Sequence, residues 1–210
     1  MKTLFIPAKI KSNVNEKAID EISKKLPKNL AIVYSIQYQD AAKEIKEILS
    51  SNGNHEITSF LQVLGCSKPN FQKSTKAILL IGSGRFHAVS LAMETNLPVY
   101  VLYNNSMSEI SDKEIESLKT KKKAAYLKFL NSENVGILVS TKPGQENLKR
   151  ALELKKSSIM KNKKAYILIG NNLSPSEFEN FNLGSWVNTA CPRLDFDASV
   201  VNMGDISKKR

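Results

Sequence analysis

Short β-branched runs alternate with amphipathic stretches along most of the chain. Thr3–Ile6 reads as a strand, and Glu16–Lys25 as a helix with Ala18, Ile19 and Ile22 on one face. Leu30–Ile36 is apolar enough for a fully buried strand, and Ala41–Ser50 follows as a helix with Ile45, Ile48 and Leu49 at helical spacing. Phe60–Leu64 is a short strand running into Gly65-Cys66, and Ala77–Ile81 is another apolar strand, running into Gly82-Ser83-Gly84. A helix over Phe86–Thr95 and a strand over Pro98–Tyr103 complete the first half. Near-continuous apolar strands separated by helices predict a parallel sheet covered on both faces.

Asn and Ser gather at Asn104–Ser108, where a domain boundary is expected. Ser111 with Glu114 three residues on forms a capping box, opening a long helix to Asn131 that carries a lysine run on its exposed side. The alternation then restarts, with a strand at Val135–Ser140, a Lys142-Pro143-Gly144 turn, a helix over Gln145–Met160 and a strand at Ala165–Ile169. Pro175 at a first helical position and Trp186-Val187-Asn188 lead into Thr189-Ala190-Cys191-Pro192-Arg193. The halves resemble each other: Ile32-Val33-Tyr34-Ser35 parallels Ile137-Leu138-Val139-Ser140, and Ile78–Gly82 parallels Tyr166–Gly170. The expected fold is α/β, two similar small units, each a short mainly parallel sheet flanked by helices. Residues 1–107 would hold Cys66 and residues 108–210 would hold Cys191.

Composition changes this picture little. A content of 41% hydrophobic and 24% charged residues over 210 positions suits a core-forming protein, and no apolar run reaches the roughly 18 residues a membrane span needs. The apolar start ends at Pro7, too short for a signal peptide, so a cytoplasmic protein is expected. The net charge of +11 invites a nucleic-acid reading, but the lysines lack interleaved aromatics and read as a solvated surface. Clusters at Lys119, Lys121, Lys122 and Lys123, and at Lys155, Lys156, Lys161, Lys163 and Lys164, offer a face for an acidic partner. There are only four arginines, and Arg85 and Arg193 sit within the Gly- and Cys-bearing stretches, where a planar bidentate donor suits a carboxylate or phosphate.

Four polar constellations follow strand ends, where open parallel sheets bind ligands: Gly65-Cys66-Ser67, Gly82-Ser83-Gly84-Arg85-Phe86-His87, Thr141–Gln145 and Ala190–Arg193. The Gly-Ser-Gly turn offers backbone N–H groups to an anion, with Arg85 adding charge. His87 is open between a capping and a ligand-contacting role. The two cysteines form no CxxC pair. By composition they are buried small residues; their glycine- and arginine-flanked positions suit thiolate ligation. No Ser-His-Asp set, HExxH helix or P-loop is present.

Gln62-Val63-Leu64-Gly65-Cys66, Ile81–His87, Ser140–Gln145 and Trp186–Leu194, in this order and spacing, resemble the signature stretches of the diphthamide synthase family. Phe5-Ile6-Pro7-Ala8-Lys9 resembles the start of that family's second domain. The resemblance implies three similar α/β units around a 4Fe-4S cluster, with one cysteine from each. The fourth iron is left for S-adenosylmethionine, whose cleavage releases a 3-amino-3-carboxypropyl radical. That fragment is added to a histidine of translation elongation factor 2, the first step toward diphthamide.

Carried over, Cys66 and Cys191 are metal ligands, while Gly82, Ser83, Gly84, Arg85, His87, Gln145 and Arg193 fall in the cofactor-binding stretches. The family's first domain, with its cysteine, has no counterpart here, and Gln37-Tyr38-Gln39 lacks the histidine expected after the Leu30–Ile36 strand. Either a separate polypeptide supplies that domain, or the chain is a fragment or a degenerate non-catalytic relative; the leading expectation is a transferase subunit, oligomeric, that completes its cluster with a separate partner carrying the missing domain. The Lys119–Lys123 run would face that partner or the elongation factor; neither membrane nor direct nucleic-acid contact is expected. The alternatives are a non-catalytic scaffold or electron-transfer relative and, third, a basic RNA-binding module.

Overall fold

The computed structural model describes residues 4, 6–11, 13–64 and 68–207. Cys66 lies outside them, with its neighbours Gly65 and Ser67. Thr3 and Phe5 of the expected first strand do too, and Leu4 and Ile6 are exposed and carry no strand. The chain divides into two compact units, Met1–Ile115 and Glu116–Arg210.

The first unit runs α1 (Glu16–Ser23), β1 (Asn29–Tyr34), α2 (Gln39–Ser51), β2 (Glu56–Gln62), β3 (Ala77–Ile81), α3 (Arg85–Thr95), β4 (Val99–Tyr103) and β5 (Ser106–Glu109). The sheet order is β2-β1-β3-β4-β5, parallel except for β5, which is antiparallel to β4. Leu30, Ile32, Leu79 and Ile81 bury one sheet face against Ile19 of α1 and Ala42, Ile45 and Leu49 of α2. The alternate positions Ala31, Val33, Ile78 and Leu80 are equally buried, as a sheet covered on both faces requires.

The stretch expected as a boundary is a hairpin. Asn104 and Asn105 both take positive φ, 49° and 58°, and Tyr103 pairs with Ser106 across them. Consecutive left-handed residues match the right-handed twist of a two-residue hairpin, and Asn is among the few residues that accept that conformation. The division of the chain instead falls early in α4 (Asp112–Asn131).

The second unit holds β6 (Asn134–Ser140), α5 (Leu148–Lys156), β7 (Lys164–Gly170), α6 (Pro175–Phe178), β8 (Ser185–Asn188), α7 (Leu194–Asp197), β9 (Val201–Asn202) and α8 (Met203–Ser207). Its sheet is all parallel, ordered β7-β6-β8-β9. Val135, Ile137, Val139 and Val187 pack against Ala125 and Phe129 of α4 and Ala151 and Leu154 of α5. On the other face Leu138 and Trp186 pack against Phe178 and Leu194.

Both units thus share one winding: the second strand lies outside the first, and the chain returns to place the third on the other side. This supports the internal repeat and the match of Ile32–Ser35 on β1 with Ile137–Ser140 on β6, but corrects the second match. Ile78–Gly82 resembles Tyr166–Gly170 in sequence, yet β3 is an inner, fully buried strand, whereas β7 is a half-exposed edge. The topological counterpart of β3 is β8. Among the described residues no helix is long and apolar enough to cross a membrane.

Candidate functional site

In such a winding the connections leaving the carboxyl ends of the adjacent first and third strands turn to opposite faces of the sheet and leave a crevice, where ligands of open α/β sheets bind. In the second unit this crevice is open. A cleft of about 200 Å3 is lined by Ser140 at the end of β6, Asn188 at the end of β8, Lys142, Gln145, Cys191 and Arg193 from the loops beyond them, and Asp197 of α7. The structure therefore gathers Gln145, Cys191 and Arg193 around one space.

Each wall has a local cause. Lys142-Pro143-Gly144-Gln145 is a turn closed by Gln145 N–H donating to the Lys142 carbonyl at 3.0 Å, with Gly144 at φ 77°. Proline fixes the first central position and glycine supplies the positive φ of the second. This turn delays the helix expected from Gln145, which starts at Leu148. Asn147 Nδ2 donates to the Thr189 carbonyl at 2.8 Å, tying this loop to the one carrying the cysteine. Thr189 Oγ1 in turn donates to the Leu138 carbonyl at 2.8 Å.

Cys191 itself is half-buried. Its loop is held from below by Asn188, whose Oδ1 accepts from Ala190 N–H at 2.9 Å and whose Nδ2 donates to the Cys191 carbonyl at 2.8 Å. Arg193 is exposed at the start of α7, its Nε 4.0 Å from Asp197 Oδ2, so its guanidinium remains at the cleft mouth. Asp195 is buried and pairs with Lys122 of α4 at 2.9 Å. Burial pushes its carboxyl up, against the pull of Lys122. Lys121 donates to the Phe196 carbonyl. Two lysines of the run expected on an exposed face are therefore only half-exposed and brace the segment after Cys191, while Lys119 and Lys123 are exposed.

The first unit's crevice differs. A Cβ added to Gly82, at φ 141°, would lie 3.1 Å from the Tyr38 ring and 3.2 Å from Ser35 Oγ. The loop after β1 is thus packed on the Gly-Ser-Gly turn. A Cβ on Gly84 would meet His87 Nδ1 at 2.3 Å, so the imidazole folds back over this glycine and would have to turn away from any side chain placed there. Ser83 is exposed. Arg85 does not point into an open site. Its Nε and Nη2 donate to Glu114 at 2.6 and 2.8 Å, and Nη1 donates to Ser108 at 3.2 Å.

Glu114 also accepts from Ser111 N–H and Oγ, closing the capping box. Hydrogen bonds from Arg85, assisted by Ser111, hold its carboxyl down from 4.5 to about 2. A lowered folded-state value gives stability that is complete above the unfolded carboxyl's range and is lost as pH falls through the folded value. Glu114→Gln should therefore cost about 1 kcal/mol at neutral pH, a partly exposed pair being screened by solvent. The urea midpoints of variant and parent should converge as pH falls from 4.5 toward about 2.

Among the described residues no group of three or more His, Cys, Asp or Glu side chains could close a metal site. One soft sulfur at an open cleft fits one corner of a cluster whose other thiolates come from elsewhere. Asn171, Asn188, Asp195 and Asn202 were not foreseen as site residues. For Asn171, Asn188 and Asn202 a position at or just past a strand end was the available signal; Asp195, within α7, had none.

A repeated parallel α/β unit with a thiol at its open crevice is the class of molecule at hand. A family model described as "Putative diphthamide synthesis protein" matches residues 1–201. The 2-(3-amino-3-carboxypropyl)histidine synthase of Pyrococcus horikoshii is 30% identical over 207 residues, 93% of this chain and 60% of that protein. Its counterpart from Methanocaldococcus jannaschii is 28% identical, over 94% of this chain and 57% of that protein. The crystal structure of Dph2 from Pyrococcus horikoshii with 4Fe-4S cluster superposes with a TM-score of 0.74 at 30% identity, over 92% of this chain and 60% of that one. The chain belongs to the diphthamide synthesis family, and spans about 60% of the length of these archaeal relatives.

Proposed function

We propose that this chain is part of a transferase that moves the 3-amino-3-carboxypropyl group of S-adenosylmethionine to a histidine of translation elongation factor 2. The observation behind it is Cys191, half-buried at the open crevice of a chain that superposes on a relative solved with a 4Fe-4S cluster. Cys191 would hold one iron and Cys66 another; the cluster, when bound, supplies the electron that cleaves the cofactor's carbon–sulfur bond. The chain has only these two cysteines, so a third thiolate comes from outside the sequence described here.

The remaining work falls to this chain's own groups. Arg193 and Lys142 place positive charge at the cleft, suited to the cofactor's carboxylate, and Gln145 adds an amide that both donates and accepts. Arg85 is engaged by Glu114, so its part is to fix the start of α3 rather than to bind the cofactor.

The test is transfer of carboxyl-labelled S-adenosylmethionine to elongation factor 2 by the anaerobically reduced protein, together with a chain supplying the third cysteine. Label on the factor, lost when its acceptor histidine is replaced, is the expected result. Cluster formation with cofactor left uncleaved would overturn the transferase assignment and leave a scaffold or electron carrier.

A further inference from the structure

Behind the Cys191 loop lies a chain of polar side chains that packing alone does not require. Asn188 and Asn202 are opposite each other on the paired strands β8 and β9, and Asn188 Nδ2 donates to Asn202 Oδ1 at 2.7 Å. Asn202 Nδ2 donates to Asp195 Oδ2 at 2.7 Å and to the Pro192 carbonyl at 3.2 Å. Asp195 Oδ2 then meets Lys122 Nζ at 2.9 Å, and Lys122 stands 3.8 Å from Asp205.

We propose that Lys122, Asp195, Asn202 and Asn188 are positioning residues that hold the Cys191 thiol in place by gripping its loop through main-chain groups. The inference rests on Cys191 being a cluster ligand, as proposed above.

Three features carry it. Asn188, Asp195 and Asn202 are 1%, 3% and 8% exposed. Burying amides and a carboxylate there costs free energy unless they are satisfied, and apolar side chains of similar volume would pack as stably. What the polar set adds is direction. The Ala190 amide and the Cys191 and Pro192 carbonyls each bond to an Asn side chain, so the peptide plane that follows Cys191 is fixed, as are the 189–190 and 192–193 planes that bracket the loop. Finally, the set is anchored outside the loop. Lys122 projects from α4, whose Ala125 and Phe129 are in the unit's core, so the grip is referred to a rigid helix. Asp195 Oδ1 is buried without a hydrogen-bond partner among the described residues, which leaves the carboxylate dependent on Lys122 and Asn202.

The experiment uses the full chain without iron in a Cys66→Ser background, where Cys191 is the single thiol. Alkylation of Cys191 by iodoacetamide is followed by mass spectrometry. Asn202→Ala and Lys122→Met should each speed alkylation about tenfold, the consequence of losing one buried polar contact. Lys122→Arg, which keeps the pair with Asp195, should restore the parent rate. Val135→Ala, a cavity in the same unit's core, serves as a control for general loosening. Lys122 is half-exposed, so Lys122→Met tests the idea even if Asn202→Ala does not fold. Unchanged alkylation in Lys122→Met, or an equal rise in Val135→Ala at a matched denaturation midpoint, would overturn the proposal. The readout needs no iron, so a parent protein that forms no cluster would count against the proposed function and not against the positioning role.

Discussion

Cys191→Ala is expected to cut the transfer activity of the reconstituted complex by more than about a hundredfold while leaving the protein folded. The loop around Cys191 is held through the Ala190 amide and the Cys191 and Pro192 carbonyls, none of which the substitution removes. The side chain is half-buried, so truncation leaves no large internal cavity, and the free energy of unfolding should change by less than about 0.5 kcal/mol. Loss of iron from a folded protein then identifies a ligand rather than a core residue. A serine in its place should not rescue, because its hydroxyl stays protonated where a thiol gives the soft anionic donor that iron–sulfur clusters use. Iron content per chain, measured beside circular dichroism, checks this. Retained iron and activity in Cys191→Ala would remove the residue from the site. Cys66→Ala should have the same effect on activity.

The largest stability effect is expected at Gly136→Ala. Gly136 lies on β6 between Tyr166 of β7 and Trp186 of β8. An added Cβ would sit 2.0 Å from Trp186 Cζ3 and 2.1 Å from Cε3. The indole cannot yield easily, since it is buried and packed against Phe178 at 5.0 Å between ring centroids. Overpacking of this kind costs about 3 kcal/mol. Trp186 is the chain's single tryptophan, so its emission reports the displacement directly and should shift to the red. Adding Trp186→Leu should recover part of the loss, the coupling expected of touching side chains. Because β8 also carries Asn188, the displaced strand should weaken iron binding at Cys191 as well. A Gly136→Ala protein with unchanged midpoint and emission would contradict the packing described.

Much of this fold was legible in the sequence because parallel strands buried on both faces leave near-continuous apolar runs, as at Leu30–Tyr34, Ala77–Ile81 and Val135–Ser140. The Ser111 capping box was legible for a local reason, two side chains three positions apart. What apolar runs do not record is which strand lies beside which. Ile78–Gly82 and Tyr166–Gly170 read alike, yet one is central and the other an edge, so this match of the repeat fails where that of Ile32–Ser35 with Ile137–Ser140 holds. Polar Ser106–Glu109 and two-residue β9 carry no period at all, so neither strand was foreseen.

The cleft shows the same division. Gln145, Cys191 and Arg193 follow strand ends, and topology brings them together. Arg85 follows a strand end too, but its fate was set by Glu114, a residue read only as half of a cap. The bracing by Lys121 and Lys122 is not legible, because a lysine run on a helix does not announce a buried carboxylate and a carbonyl arriving from seventy-odd residues later.

The central claim is that Cys66 and Cys191 are two ligands of a cluster completed by a third thiolate. Anaerobic iron and sulfide reconstitution tests it most directly, with iron and acid-labile sulfide quantified and the reduced protein examined by electron paramagnetic resonance. This chain alone should bind iron poorly and lose it on desalting, and should yield a stable 4Fe-4S signal once a chain carrying a third-cysteine domain is added. A full and stable 4Fe-4S cluster on this chain alone, or one that survives Cys191→Ala, would contradict it.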